Sequence, residues 1–330
     1  MAIAGQAFSP KEYTVWIISD ATNAGTTGAH ASNMYQLDVD SVGFPSLNVN
    51  QAVDIKSGAG RVLKDEDFFQ DNVLRVVEVS LSGTMHNDAG HELLMQNICN
   101  SVAADPIIAT SHSGASQRYG EAVANAASSL TIGIKASDHT NQKSLELPGM
   151  VVTNFTLSGD SATEGGRYKF SATLQSGSAP DLAEVAIDMG TNEYANSTAS
   201  VMSDASAIKV FNTEVVMNSF SVAIDHPAVF AGAKSTGYEI VARGAECAVT
   251  VDTQVKYDAN TKGFLSAFDG QSGYLAGNMF VVVNNNAYGV SIPNGVLTNV
   301  AYSEGDVLML DCSIKAVDAG ATVLTFDGSA

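Results

Sequence analysis

Two stretches far apart in the chain restrict its fold more than any other feature: PGMVVTNFTLS at residues 148–158 and PNGVLTNVAYS at residues 293–303. Five of the eleven aligned positions are identical. A chain of this length offers on the order of tens of thousands of window pairs, so one such match carries weight only if its flanks continue in register. They do. Upstream, RVVEVSLSGTMHNDAGHELLMQNI (residues 75–98) aligns without a gap against residues 247–270 at an offset of 172, with Val79 opposite Val251 and Leu93 opposite Leu265. Each segment alternates apolar and polar residues as a strand does. Each then passes through Asn and Asp into a short run of helical spacing, led by Asp88 in one and Asp258 in the other.

Further upstream, SLNVNQAV from Ser46 matches SFSVAIDH from Ser219 at an offset of 173. Downstream, a Gly-containing turn leads into RYKFSATLQSG in one copy and VLMLDCSIKA in the other, so that Phe170, Ala172 and Leu174 face as Leu310, Cys312 and Ile314 do. Four elements recurring in one order imply an internal duplication of a strand, a helix and an antiparallel hairpin. In the first strand of that hairpin, alternation puts Val151, Thr153, Phe155 and Leu157 on one face; Val296, Thr298, Val300 and Tyr302 correspond. The offset between the hairpins is 145, so the first copy holds 27 additional residues, within roughly residues 100–128. That insert is rich in Ser, Ala and Gly, with a short Ala-rich helical piece at residues 120–127, and reads as a long projecting loop. The implied organisation is a first unit over 1–177, with an N-terminal arm and the inserted loop, a linker over 178–206, and a second unit over 207–330. Within the linker LAEVAIDMG reads as a short strand or a helix, and periodicity does not choose between them.

Charged residues make up only 15% of the 330, and Gly, Ala, Ser, Thr and Asn take their place, a mixture that suits mainly β structure with many turns. No apolar run of about twenty residues appears, and the chain is too apolar for disorder. The N-terminal residues lack a basic segment followed by an apolar one, so no secretory signal is expected and synthesis in a cytoplasm is. Three widely spaced cysteines, Cys99, Cys247 and Cys312, point to reduced, buried thiols rather than a disulfide framework or metal knuckle. Sixteen basic against 35 acidic residues give a formal charge of −19, which removes the electrostatic attraction that drives nucleic-acid binding. The same sign would let a polyphosphate chain slide past without sticking.

Few residues combine into candidate chemistry. His86 and His91 lie near one another but lack the i, i+4 spacing and third ligand of a zinc site, so they are expected on the surface or in loops. The acid cluster Asp65, Glu66, Asp67 and Asp71 lacks the Gly and terminal Glu of a calcium loop and reads as a solvated face. SHSGAS around Ser113 lacks the glycines of a nucleophile elbow. No catalytic, cofactor-binding or metal-ligating residue is therefore assigned, and no enzyme activity is expected.

With the duplicated unit in hand, a resemblance stands out. SLTIGIKASDHTNQKSLELPGMVVTNFTLSGDSATEGGRYKFSATLQSG, within residues 128–177, is similar to the tail tube proteins of long-tailed, siphovirus-like bacteriophages, in pattern more than in any invariant residue. The likeness covers residues 39–177 directly and 210–326 by way of the repeat. It implies two tandem tail-tube-like units, each a small antiparallel β-sandwich or barrel flanked by a short α-helix, in a structural virion protein of the tail. Such units join edge to edge into rings with a β-lined lumen, and the rings stack into a conduit for DNA. Members with two units per chain look like trimeric rings of pseudo-sixfold symmetry, which is the homo-oligomer expected here. The implied partners are further copies and other tail proteins, with DNA only as passing cargo, no cofactor and no membrane span. Alternative readings are a decoration or capsid protein, the tube of an injection machine, or a carbohydrate-binding β-sandwich module. The last would want exposed aromatics, and Trp16 is the only tryptophan.

Overall fold

A computed structural model describes residues 9–20, 34–46, 50–53, 68–71, 76–99, 129–138, 142–183, 189–195, 199–233, 238, 240–243, 247–268, 273–284, 288–317 and 323–328. The fold is mainly β. Its first half runs β1 (Tyr13–Ser19), β2 (Tyr35–Leu37), β3 (Val39–Gly43), β4 (Asn50–Val53), β5 (Phe68–Asp71), β6 (Val77–Thr84), α1 (Ala89–Ile98), β7 (Leu130–Ala136), β8 (Ser144–Asp160), β9 (Tyr168–Ser176) and β10 (Asp181–Ala183). The second half runs β11 (Ala205–Val210), β12 (Thr213–Glu214), β13 (Met217–Asp225), β14 (Ala228–Ala231), β15 (Ile240–Arg243), β16 (Ala248–Lys256), a 3-10 helix (Lys262–Phe268), β17 (Tyr274–Asn284), β18 (Tyr288–Ser303), β19 (Met309–Ala316) and β20 (Thr325–Gly328).

The strand pairings within the first half recur in the second, and in the central hairpin and its flanking strands they recur with the same register shifts. In the hairpin of β8 and β9, Val152 faces Leu174 and Asn154 faces Thr173, leaving Thr153 as the extra residue of a bulge. In β18 and β19, Leu297 faces Ile314 and Asn299 faces Ser313, leaving Thr298 in the same place. Each bulged threonine donates its hydroxyl across the hairpin, Thr153 to the Thr173 carbonyl at 3.2 Å and Thr298 to the Ser313 carbonyl at 3.0 Å. On the far side of the hairpin Val79 of β6 meets Leu174 and Val251 of β16 meets Ile314. β3 and β13 flank those strands with a register shift at equivalent points, Val39 to Ser41 and Met217 to Ser219. β1 lies on β7 as β11 lies on β17, the small hairpin of β4 and β5 matches that of β14 and β15, and β10 and β20 edge β8 and β18.

The threonine bulge changes which residues reach the core. Simple alternation groups Val151 and Val296 with Phe155 and Val300; the extra residue puts Val152 and Leu297 in the main buried cluster with them, while Val151, also fully buried, lies outside that cluster. A second correction concerns the match of Ser46 to Ser219. Pairing with β6 and β16 makes β3 the counterpart of β13, at an offset of 178, and Asn50–Val53 the counterpart of β14. The helical pieces also differ. Asp88 caps α1, accepting from the His91 amide at 3.0 Å, and the helix buries Leu94, Met95 and Ile98. The second piece, headed by Asp258 accepting from the Asn260 and Thr261 amides, is a 3-10 helix of 7 residues.

The halves do not stand apart. Hydrogen-bonded strands follow one another as β3, β6, β9, β8, β13, β16, β19 and β18, so the C-terminal parts of β8 and β18 belong to one eight-stranded antiparallel sheet that crosses from the first half into the second. The N-terminal parts of β8 and β18 leave this sheet to join β7 with β1 and β17 with β11. A single buried cluster draws on both halves. Its aromatic contacts cross the boundary: Tyr168 meets Phe220 edge-on with ring centres 5.1 Å apart, and Phe155 meets Phe326 at 6.1 Å. Each such fully buried ring contributes about 1.5–3 kcal/mol through area alone. The stretch expected to be a linker carries β10, the fully buried Met189, and bridges from Asn192 to Tyr35 and from Ala199 to His86. No helix among the described residues is long and apolar enough to cross a membrane.

Candidate functional site

The residues that distinguish this chain from an ordinary sandwich sit where the halves meet and at the two ends of the eight-stranded sheet. Along the seam, β8 and β13 pair from Asn154 with Asp225 to Asp160 with Ser219, and Leu157 opposite Val222 lies fully buried. Ser161 donates its amide to the Asn218 carbonyl at one end, and His226 donates to the Thr153 carbonyl at the other, both at 2.9 Å. The strands alternate because β13, MNSFSVAID, places Phe220, Val222 and Ile224 inward and Ser219, Ser221 and Ala223 outward.

A buried guanidinium locks one end of this seam. Arg243, at the end of β15, donates to the carbonyls of Val152, His226 and Asn97 and to the Asn97 side-chain oxygen. The same Asn97 oxygen accepts from the Val152 amide at 2.7 Å. His226 sits beside it with its Nδ1 at 3.0 Å from the Ile98 carbonyl. Burial, aided by the Arg243 charge, pushes His226 down to about 4, so the imidazole is neutral at ordinary pH. The arrangement ties the C-terminus of α1 and β8 of the first half to β13 and β15 of the second. It satisfies carbonyls; it offers no nucleophile.

The outward face of the eight-stranded sheet is polar from edge to edge. Ser80, Ser171, Thr156, Ser158, Ser219, Ser221, Thr250, Ser313 and Ser303 alternate along it with the buried residues. A chain of side-chain hydrogen bonds crosses the seam there. Ser161 donates to Asn218, Asn218 to Gln254, and Gln254 to Asp311 and Ser303, over 2.8 to 3.2 Å. The charges on this face are Glu78, Asp160, Asp225, Asp252 and Asp311, with Asp40 bonded to Lys169, against Lys169, Lys256 and Lys315, and a shallow depression across its middle is lined in part by Arg167, just before β9. Met309, half-buried and paired with Lys256 and Ser303, is the large apolar side chain among these outward strand positions, and no arginine stands on them.

The sheet ends in two open edges. Among the described residues β3 pairs only with β6, and the 298–303 part of β18 pairs only with β19. Large apolar side chains gather at both. Phe44, immediately past β3, is 40% exposed and leans edge-on against Tyr13; Tyr302 is 52% exposed, next to Tyr257.

The histidines expected on the surface are buried instead. His86 is held between the Asp38 carboxylate at 2.9 Å and the Ala195 carbonyl at 3.1 Å, and His91 contacts the Asp88 carboxylate at 2.8 Å. Their rings meet at a tilt with centres 5.3 Å apart, and Phe170 stands edge-on to His91 at 5.4 Å, so these side chains serve the junction of α1 with the sheet. No group of three or more metal-ligating side chains occurs among the described residues. Asp65, Glu66, Asp67, Ser113 and the whole 100–128 insert lie outside those residues, and of Asp71 only the backbone is described. Trp16 is buried with Met34 and Met189, its indole donating to Thr14. The seam, the polar face and the edges were not identifiable as sites from sequence, since strand neighbours as far apart as Asn154 and Asp225 leave no local signal.

No protein family profile matches the sequence, and no curated protein matches it. Among solved structures, a chain from the virion of a native gene transfer agent particle matches with 13% identity, over 41% of this chain and 92% of that one, at a TM-score of 0.24. A likeness so slight transfers neither fold nor role.

Proposed function

We propose that this protein is a structural virion component, the tail tube subunit of a long-tailed phage, which assembles into stacked rings around a passage for DNA. The observation that carries the reading is the eight-stranded sheet: one face is core, the other is mainly a hydroxyl, amide and carboxylate surface, and both ends are open among the described residues. A monomer gains nothing from two open edges, which invite aggregation; an assembling subunit needs them. In this reading the polar face lines the lumen. Phosphates passing over serines, threonines and more acids than lysines meet Arg167 at the central depression but no cluster of arginines, and the total charge of −19 adds a mild repulsion.

The recurrence in the second half of the strand pairings within the first supports a tandem duplication of one tube unit, so three chains would supply six units to a ring. The resemblance of residues 128–177 to tail tube proteins supports the same assignment. Negative-stain electron microscopy of the purified protein, alone and with tail-initiation components, tests it. Hollow rings or tubes whose threefold averages approach sixfold symmetry are expected. A protein that stays monomeric in every such preparation overturns the reading.

A further inference from the structure

We infer that the two open edges pair with each other between copies of this chain, head to tail, in the register of the internal seam, with Phe44 of one copy opposite Tyr302 of the next. The inference deepens the tube reading above by naming the joint on which that reading depends. Its basis is the transfer of the seam onto the edges. Tyr302 occupies in β18 the place of Leu157 in β8, because Tyr302 faces Leu310 as Leu157 faces Phe170. Phe44 follows Gly43, which faces Ser80 as Ser221 faces Asp252, so Phe44 takes the place of Val222. Leu157 and Val222 stand opposite one another across the seam and are fully buried. Their counterparts are larger, apolar and 52% and 40% exposed, as residues are that await the neighbour the seam residues already have. Val307 and Leu308, in the turn between β18 and β19, are also exposed.

The backbone is arranged for the same joint. The bonds from Ser161 to Asn218 and from His226 to Thr153 bracket the seam, so by alternation Phe220, Val222 and Ile224 turn their amides and carbonyls toward β8, and Ala223 turns its own toward β16. Transferred to the edge, Val42, Phe44 and Ser46 present their backbone groups outward. Pro45, with no amide hydrogen to give, takes the inward place of Ala223, where it ends the pairing with β6 without spoiling the open side. Each edge differs from the other, so the contact is heterologous and propagates into a ring or filament instead of stopping at a twofold dimer.

The test uses the full chain with Phe44→Asp and Tyr302→Asp, each checked for wild-type thermal stability, in sedimentation across a concentration series. Either variant alone weakens association by about a hundredfold or more, as expected for an anchor at the centre of an interface. An equimolar mixture of the two restores one good joint and stops at a heterodimer. As an independent readout, Gly43→Cys with Ser303→Cys, a non-hydrogen-bonded pair in the transferred register, forms covalent multimers on oxidation, whereas Ser41→Cys with Ser303→Cys does not. If wild type and both variants associate equally, the register is wrong while the tube reading stands on its microscopy. If Tyr302→Asp alone still forms a dimer through β3, the contact is isologous and the inference fails. If the wild type remains monomeric and the 43/303 pair does not cross-link, the inference fails together with the tube reading.

Discussion

Replacing Arg243 with Met keeps the buried volume of the side chain and removes the group that gathers the end of the seam. Four acceptors lose their donor: the carbonyls of Val152, His226 and Asn97 and the Asn97 side-chain oxygen, of which the last keeps the Val152 amide. Hydrogen bonds to a charged group contribute roughly 1.5–3 kcal/mol each, but those sharing one guanidinium are not additive, and the methionine recovers part of the apolar contact. A loss of about 3–4 kcal/mol is expected. The substitution also reaches His226, held at about 4 first by burial and then by the Arg243 charge. Because that folded value lies below the usual 6.5, the folded chain binds fewer protons than the unfolded one between these limits. Stability from this group is therefore complete above 6.5 and lost as pH falls through about 4, to the extent of roughly 2 kcal/mol after allowance for solvent screening. Without the guanidinium the histidine titrates closer to its usual range and this loss shrinks. Urea unfolding followed by Trp16 fluorescence at pH 7 and pH 5 reads both effects: the variant should start lower and fall less. A variant within 1 kcal/mol of wild type, or one that keeps the wild-type pH dependence, refutes the account of the seam lock.

Other outcomes follow from the same geometry. A Cβ at Gly83 would stand 1.9 Å from the Asp38 carbonyl, so Gly83→Ala should detach β3 from β6 and make residues 39–43 hydrogen-exchange labile; unchanged protection would contradict the pairing. Thr153→Val removes a bulge hydroxyl bond that is mostly out of water and should cost about 1 kcal/mol in chemical denaturation, whereas the exposed Thr298→Val should cost a few tenths; equal losses would contradict the difference in burial. Burial, with Asp311 adjoining, pushes the Cys312 thiol up to about 12, so it should resist iodoacetamide in the native protein at pH 8 and react on unfolding. Stoichiometric native labelling at Cys312, located by peptide mass, would refute that.

The legible part of the fold was the part with local pattern. Alternation in VEVSLSG and VTVDTQV gave β6 and β16, Asp88 marked the start of α1, and the repeated Pro, Val, Thr, Asn and Ser marked β8 and β18. What failed did so for physical reasons. Thr153 and Thr298 fit an uninterrupted alternation, so the bulge that moves Val152 inward was invisible until a partner strand fixed the count. SLNVNQAV and SFSVAIDH share a period of two, which any two strands share, and only pairing with β6 and β16 settles which strands correspond. His86 and His91 look like surface residues because their carboxylate partners, Asp38 above all, are distant in sequence or hidden in a cap. The seam has the least signal of all. Nothing in MNSFSVAID says that its neighbour is β8 rather than the equivalent strand of its own half.

That choice of neighbour has a kinetic consequence. A β8 and a β13 carried on separate chains would have to find each other by diffusion, at whatever concentration the cell provides. Carried on one chain they meet at an effective concentration set by the intervening segment, on the order of millimolar for short tethers. Every second joint in any closed assembly of this protein is thus complete before two molecules collide, and only the remaining joints respond to dilution. In the proposed assembly the seam can then be as tight as a core contact, while the exposed edges alone set how association responds to concentration.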